Sequence, residues 1–498
     1  MNIYKNSEIW FVTGSQHLYG DEILKKVKED SQLITAHLDD DKGIPVKIIF
    51  KPVLTNAEAI ESLCSQANHD DSCVGLITWM HTFSPAKMWI SGLKTLNKPL
   101  LHFHTQFNRD IPWQDIDMDF MNLNQSAHGG REFGYIGSRL RLNRKIVTGH
   151  WQDEACLEEI AIWSRAAIAF ADSKKLRIAR FGDNMRNVAV TEGDKVRAQL
   201  QMNYSVCGYG VGDLVKECND IAGSTLDKLV EEYADAYYIK DRNILKSQFI
   251  RDAARIEAGM LSFLEKGGFK AFTTTFEDLH GLPQLPGLAV QRLMARGYGF
   301  GAEGDWKTSA LLRSMKVMAY GLEGGTSFME DYTYHLEPGN NAVLGAHMLE
   351  VCPSISGEKP RLEVHPLSIG GRDDPARLVF KSGPGAGINA SVIDMGNRFR
   401  MLLNTVEVIE CPDMPKLPVA SVLWKPMPDL KTSASAWILA GGAHHTGFST
   451  AIDSRYMHDF ASMTGIETVD IDGNTRLDRL KDELKWNEIY FHISNGII

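Results

Sequence analysis

The chain has 498 residues, of which 44% are hydrophobic and 23% are charged, and its formal net charge is −10. A chain of this length exceeds what one hydrophobic core usually serves, and it predicts about three domains. The composition is that of an ordinary soluble globular protein, and the modest negative charge argues against nucleic acid or an anionic membrane as the main partner.

The amino-terminal third alternates short apolar strands with amphipathic helices. Strands are predicted at residues 8–14, 44–50, 74–80 and 100–104, and helices at about 22–38, 58–67 and through Met88 and Leu93. This alternation predicts a parallel sheet covered on both faces, with ligands bound beyond the carboxyl ends of its strands. Gln16, Leu18 and Phe83 would lie at that edge; a loop without a ligand is the alternative.

A second alternating series follows the polar stretch 171–175. It contains predicted strands at 176–181 and 271–276 and a long helix at about 244–265. This pattern predicts a second doubly wound unit.

A glycine-rich bend at residues 299–304 carries Glu303, which a loop of this kind could direct into a cleft, although a solvated glutamate is the alternative. Asp305 is a candidate N-cap for the helix that follows, which carries Leu311 and Met315 at helical spacing.

Residues 326–353 predict a β-hairpin with its turn at 337–340. A register centred between Pro338 and Gly339 places Glu330 directly opposite His347, with Cβ atoms about 5 Å apart. A carboxylate and an imidazole in this arrangement could bind one divalent cation, and a surface ion pair is the alternative. A shift of one residue in the register would separate the pair.

Two adjacent histidines, His444 and His445, follow an apolar run at 437–440 and a Gly-Gly break. We predict a strand for the apolar run. Because successive side chains of an extended chain point to opposite sides, only one histidine would bind a metal shared with the glutamates, and the other could face a substrate.

Beyond residue 325 the hydrophobic period changes towards two, which predicts a β-rich domain. The predicted fold is α/β, with two doubly wound, Rossmann-like parallel-sheet domains followed by a β-rich, barrel-like carboxyl-terminal domain. The predicted boundaries are 1–173, 174–325 and 326–498.

Three features of the sequence bear on the compartment. Residues 1–8 lack the basic and apolar regions of a signal peptide, and no uninterrupted apolar run approaches the roughly 20 residues that cross a bilayer. The seven cysteines include no Cys-x-x-Cys pair, which favours reduced thiols that act as small packing residues. We therefore predict a cytoplasmic protein.

Several long motifs, spread over essentially the whole chain, resemble those of L-arabinose isomerases. They are residues 14–20, 81–89, 117–125, 128–132, 303–307, 325–332, 345–353 and 441–445. The resemblance implies the architecture of the fucose isomerase-like enzymes and a homohexamer with active sites between subunits. It also implies conversion of L-arabinose to L-ribulose, with weaker conversion of D-galactose to D-tagatose.

The resemblance further implies that Glu303, Glu330, His347 and His445 bind one catalytic Mn²⁺ per subunit, for which Co²⁺ can substitute. Mixed oxygen and nitrogen ligands suit such ions, although they do not exclude zinc. Glu303 and Glu330 would also act as acid and base while the cation polarises the sugar carbonyl. The implied sugar pocket consists of Gln16, Leu18, Phe83, Gln125, His128, Met185, Phe276, Ile369 and His444.

Two alternative functions are weighed against this one. The first is another metal-dependent ketol isomerase, such as one that acts on L-fucose. The second is a non-catalytic sugar-binding protein, since paired doubly wound domains also form sugar-binding clefts. A binding protein would not need the set of Glu303, Glu330, His347 and His445.

Overall fold

The computed structural model describes residues 3–367 and 371–496. The chain forms two compact units, one of Met1–Ala171 with His458–Met463 and one of Asp172–Met457 with Thr464–Ile498. Ile369, a predicted sugar-pocket residue, lies outside the described residues. Over the ranges described, no helix has the length and apolar character needed to span a membrane. The predicted division into three domains stays a prediction.

The first unit is built around a parallel sheet in the order β2-β1-β3-β4-β5. Its strands are β1 Glu8–Gly14, β2 Lys47–Phe50, β3 Cys73–Met80, β4 Leu100–His104 and β5 Lys145–Thr148. The helices of this part of the chain are α1 Gly20–Asp40, α2 Ala57–His69, α3 Ile90–Thr95, α4 Met118–Leu123, α5 Ser126–Arg139 and α6 Glu154–Ser173. Every residue of β3 is buried, as expected for a parallel strand covered on both faces.

The second unit begins with another parallel sheet, in the order β7-β6-β8-β9. Its strands are β6 Arg177–Phe181, β7 Ser205–Tyr209, β8 Ala271–Thr274 and β9 Gly299–Gly301. Its helices are α7 Lys195–Met202, α8 Val211–Asn219, α9 Gly223–Ala236, α10 Gln248–Gly267, α11 Gly287–Ala295 and α12 Trp306–Met318. The prediction of two parallel-sheet regions is confirmed.

The rest of the second unit contains a closed antiparallel barrel. Its strands follow the order β14-β17-β10-β11-β16-β15, and β15 pairs back onto β14, so the barrel has six strands; β18 is added beside β15. These strands are β10 Thr326–His335, β11 Ala342–Ala346, β14 Gly385–Asp394, β15 Phe399–Ile409, β16 Ser421–Pro426, β17 His445–Ser449 and β18 Glu467–Ile471. Two further strands, β12 Arg361–Val364 and β13 Ala376–Val379, form a separate antiparallel pair. The helices of this part of the chain are α13 Leu430–Ala440, α14 Ser454–Thr464 and α15 Leu477–Gly496, and residues 458–463 of α14 belong to the first unit. The predicted barrel-like region is confirmed.

Helix α12 links the parallel sheet to the barrel. Every residue from Trp306 to Met318 is buried, and the helix packs against β8 and β9 as well as β10, β14 and β17. A helix that is buried on all sides must lie between two packed layers. The Asp305 side chain accepts hydrogen bonds from the backbone amides of Lys307 and Thr308, so the predicted N-cap is confirmed.

The prediction of a strand at residues 437–440 is wrong, because these residues are the last turn of α13. The Asp429 side chain accepts from the Thr432 amide at the start of this helix. Gly441, with φ 84°, adopts the left-handed conformation that ends it. A short apolar run fits a strand or a helix equally well, and here the capping residues decide. The extended strand begins only at His445.

Candidate metal and sugar site

Two glutamates and three histidines lie together in the second unit. Glu330 Oε1 is 3.3 Å from His347 Nε2 and 3.4 Å from His445 Nε2. Glu303 Oε2 is 3.6 Å from the Nε2 atoms of both His444 and His445. These side chains therefore converge on one small volume, from segments widely separated in sequence.

The barrel register determines how Glu330 meets its neighbours. Glu330 lies directly opposite His445 across β10 and β17. On its other side it lies opposite Ala346, because a bulge at Tyr332 shifts the hairpin register by one residue. The predicted direct opposition of Glu330 and His347 is therefore wrong by one position. His347 still reaches Glu330, since it immediately follows the strand.

Glu303 approaches from the central sheet on a constrained turn. Its φ is 60°, in the left-handed region that a residue with a side chain seldom occupies, and the following Gly304 has φ 83°. A Cβ on Gly304 would lie 2.6 Å from Asn184 Cα, so only glycine fits there. The Met185 amide donates a hydrogen bond to the Glu303 carbonyl. A non-glycine residue held in this conformation is typical of a functional position.

Asp305 orients His445. The Asp305 Oδ2 atom is 3.1 Å from His445 Nδ1, which leaves Nε2 facing the glutamates. Burial would raise the pKa of Asp305, but the Lys307 ammonium and the hydrogen bond from His445 outweigh it and hold that pKa well below its usual range. Burial alone would lower the pKa of His445, whereas Asp305 and Glu330 raise it to about 9.

His347 has a similar arrangement. Its Nδ1 lies 2.6 Å from Glu350 Oε2, so its Nε2 faces Glu330. Burial would lower the pKa of His347, but the Glu330 and Glu350 carboxylates raise it well above its usual range. Burial would raise the pKa of Glu330, and the facing His347 and His445 lower it instead. These carboxylates therefore favour the protonated form of the two imidazoles.

The donor set fits a divalent cation. Donor atoms of Glu303, Glu330, His444 and His445 all lie within 4.8 Å of one another. Glu303 Oε2 and His445 Nε2 are buried and have no hydrogen-bond partner among the described residues. An orphaned carboxylate oxygen and an orphaned imidazole nitrogen facing each other are suited to metal ligation, and each ligating histidine typically donates its other N–H to a carboxylate.

The expected divergence of His444 and His445 does not hold. The His444 side chain is 43% exposed and that of His445 is fully buried, yet both direct Nε2 towards Glu303. Their ring centroids are 4.3 Å apart. Only His445 belongs to the strand; His444 lies in the preceding turn, where side chains need not alternate. The four donors that lie close enough to share one cation include His444. The predicted ligand set has His347 in place of His444.

Five of the predicted sugar-pocket residues lie in the first unit. Phe83 and His128 pack with ring centroids 4.7 Å apart, and His128 Nδ1 is 3.2 Å from Gln125 Oε1. Gln16 follows the carboxyl end of β1, and Leu18 is 84% exposed. Phe83, Gln125 and His128 therefore form one contact group, and Leu18 stands out in solvent.

Met185 and Phe276 lie in the second unit and are half-buried. Met185 is tied to Glu303 by its backbone hydrogen bond, and Phe276 packs at the edge of the core of the central sheet. Both residues follow the carboxyl ends of parallel strands, the edge where such sheets bind ligands.

Three residues of the cluster were not predicted as members. Phe328 is buried and packs edge-on against His347 and His445, with centroid distances of 5.1 and 5.3 Å. Asp305 and Glu350 are the carboxylate partners of the two histidines. The position of Glu350, three residues after His347, is a signal in the sequence that could have identified it as the partner of that histidine. Phe328 is one apolar residue of an alternating strand, and that pattern does not distinguish it from its neighbours.

These features define an α/β and β-barrel protein with a candidate divalent metal centre. Three models of L-arabinose isomerase domains match the chain: the N-terminal domain over residues 3–175, the central domain over 177–321 and the C-terminal domain over 325–467. The chain belongs to the L-arabinose isomerase family, and it is an enzyme of the isomerase class.

Curated relatives support this assignment over the full length. An L-arabinose isomerase of Geobacillus stearothermophilus is 61% identical over 488 residues, covering 97% of this chain and 98% of the relative. That of Geobacillus thermodenitrificans is 60% identical over 490 residues, with the same coverage. That of Herpetosiphon aurantiacus is 58% identical over 497 residues, covering 99% of each chain.

Proposed function

We propose that this enzyme interconverts L-arabinose and L-ribulose in L-arabinose catabolism in the cytoplasm, with weaker activity on D-galactose to give D-tagatose. The observation that carries the proposal is the convergence of Glu303 and Glu330 on one buried, histidine-lined volume. Relatives that share about three-fifths of the sequence over the full length are named L-arabinose isomerases.

We assign one Mn²⁺ per subunit to Glu303, Glu330, His347 and His445, with Co²⁺ as a substitute. The orphaned donor atoms of Glu303 and His445 support this assignment, as do the carboxylates on the far side of His347 and His445. Binding would displace the protons that the histidines otherwise hold. When bound, the cation supplies Lewis-acid polarisation of the substrate oxygens.

The remaining chemistry falls to the two glutamates. Aldose–ketose isomerisation moves one proton between carbons 1 and 2 and another between their oxygens. Glu303 and Glu330 approach the same volume from different elements, so one can take the carbon-bound proton while the other serves the oxygen. We assign His444, whose side chain is 43% exposed, to a hydrogen bond with a sugar hydroxyl.

We propose a homohexamer in which the sugar-binding residues of the first unit serve the metal cluster of a neighbouring copy. His128 and Leu18 are exposed, which leaves them free to meet another chain. Mixing denatured His128→Ala and Glu303→Gln subunits and refolding them together tests this arrangement. Recovered activity supports shared sites, since each site can then combine intact residues from two chains. No recovery, with mixed hexamers confirmed by mass spectrometry, contradicts it.

The activity is tested with metal-free enzyme and a panel of aldoses. We expect ketose formation from L-arabinose after addition of Mn²⁺, slower formation from D-galactose and little from L-fucose. A preference for L-fucose would overturn the assignment in favour of another ketol isomerase. Sugar binding without any ketose product would indicate a non-catalytic binding protein.

A further inference from the structure

A buried hydrogen bond joins two ionisable side chains of the first unit, His81 and Asp30. The His81 ring donates from Nε2 to Asp30 Oδ2 at 2.9 Å, and both side chains are fully buried. Asp30 Oδ1 is 3.3 Å from Lys26 Nζ, one turn earlier on α1. Burying such groups costs free energy that well-packed apolar residues would not cost, so stability alone does not account for the pair.

His81 connects this pair to Gln125. It immediately follows β3, and its ring stacks on Trp79 with a centroid distance of 4.4 Å and an interplanar angle of 16°. Its backbone carbonyl accepts a hydrogen bond from the backbone N–H of Gln125 at 2.9 Å. His81 therefore contacts Asp30 and Trp79 through its ring and the residue before α5 through its backbone.

A second buried contact fixes the same loop. Thr82 Oγ1 lies 2.7 Å from Ser15 Oγ, and both residues are fully buried. Ser15 precedes Gln16, and Thr82 precedes Phe83, which packs against His128. The loops after β1 and β3 are thus joined at the residues that immediately precede Gln16 and Phe83.

We propose that Asp30 and His81 are positioning residues for sugar binding. Asp30 holds the His81 ring, and the His81 backbone in turn holds Gln125, while the adjoining loop presents Phe83 to His128. The inference rests on the proposed function, because it takes Phe83, Gln125 and His128 as sugar contacts. Neither Asp30 nor His81 touches substrate in this arrangement.

The test compares Asp30→Ala and Asp30→Asn in the Mn²⁺-loaded enzyme. Asp30→Ala leaves the His81 ring without its acceptor, and we expect the KM for L-arabinose to rise about tenfold with little change in kcat or Mn²⁺ affinity. Asp30→Asn keeps an oxygen that can accept from His81, so it should retain most of the wild-type KM. Thr35→Ala is the matched control, since Thr35 is a buried polar residue of the same helix whose hydroxyl donates only to Ser31.

A merely structural role predicts a different result. A smaller folded fraction lowers kcat and leaves KM unchanged, in Asp30→Ala and Thr35→Ala alike, and this pattern would overturn the proposal. Should Asp30→Ala fail to fold, His81→Asn is measured instead, with the same KM increase expected. Gln125→Ala distinguishes failure of the positioning role of Asp30 and His81 from failure of the proposed sugar site. If it raises KM while the Asp30 and His81 variants do not, only the positioning role fails; if it leaves KM unchanged, the sugar site itself is misassigned.

Discussion

Glu330 and His445 lie directly opposite each other on neighbouring antiparallel strands, with Oε1 and Nε2 3.4 Å apart. Closure of the barrel creates this relationship, because β17 is distant from β10 in sequence and pairs with it only in the fold. Glu303 then reaches His445 from the turn between β9 and α12, and α12 is buried against the same strands. The cluster is therefore built from side chains of the central sheet region and of the barrel together.

Removal of the cation should abolish turnover. Four side chains from three separated segments are assigned to it, so we expect exhaustive chelation to stop isomerisation and Mn²⁺ to restore it without refolding. Substitution of any one ligand should lower occupancy while the circular dichroism spectrum stays native. Full activity in protein shown by elemental analysis to be metal-free would rule out a metal-assisted mechanism.

The two glutamates should each be essential to the rate. Glu303→Gln and Glu330→Gln keep the side-chain shape but lose the ability to accept a proton, so each should reduce kcat by at least about 10²-fold. Metal content measured beside the rate separates loss of acid–base function from loss of the cation. A Glu303→Gln enzyme with bound metal and a near-normal rate would exclude Glu303 as a base.

His444 and His445 should differ in function even though both approach Glu303. His445 is fully buried and its Nδ1 is held by Asp305, whereas the His444 side chain is 43% exposed. We expect His445→Ala to lower Mn²⁺ affinity and His444→Ala to raise KM or slow turnover at normal metal content. Calorimetric metal titration of both variants decides the assignment, which is reversed if only His444→Ala loses the metal.

Asp305 should tune the metal site through His445. Asp305→Asn can keep the helix cap with its one oxygen, but its amide nitrogen cannot accept the proton of His445 Nδ1, so we expect a loss of about 10- to 100-fold in Mn²⁺ affinity. The matched control is Asp429→Asn, which alters the N-cap of α13 at an exposed position. Equal metal affinity in Asp305→Asn and Asp429→Asn would contradict the role of Asp305.

His102 should make the first unit sensitive to acid. It is 3% exposed, and neither ring nitrogen has a hydrogen-bond partner within residues 3–367 and 371–496. Burial, with His104 and Arg144 nearby, lowers its pKa to about 4. Below about pH 6.5 the His102 imidazole is protonated in the unfolded chain, whereas in the folded protein it stays neutral until the pH falls to about 4. The free energy of unfolding should therefore fall by about 3 kcal/mol across this window.

Chemical denaturation at a series of pH values from about 7 down to about 4 measures this effect. His102→Leu should remove most of the slope, because leucine has no proton to bind. His69→Leu, a histidine exposed on α2, is the control and should retain the wild-type slope. An unchanged slope in His102→Leu would show that other groups cause the acid sensitivity.

Local patterns in the sequence determined most of the elements and the set of residue types at the site. Apolar runs and capping residues predicted β1, β3 and α12, because these signals arise within a few residues of each other. The run at 437–440 was assigned wrongly, since four apolar residues do not distinguish a strand from a helix end. The motifs around Glu303, Glu330, His347 and His445 predicted the candidate donors.

Only the tertiary structure decided which of these residues meet. The bulge at Tyr332 moved Glu330 from opposite His347 to opposite Ala346, and barrel closure placed His445 across from it. The carboxylate partners Asp305 and Glu350, and the Asp30–His81 pair, likewise emerged from packing. Register and long-range contact depend on the combined burial of several elements, which no local pattern of residues encodes.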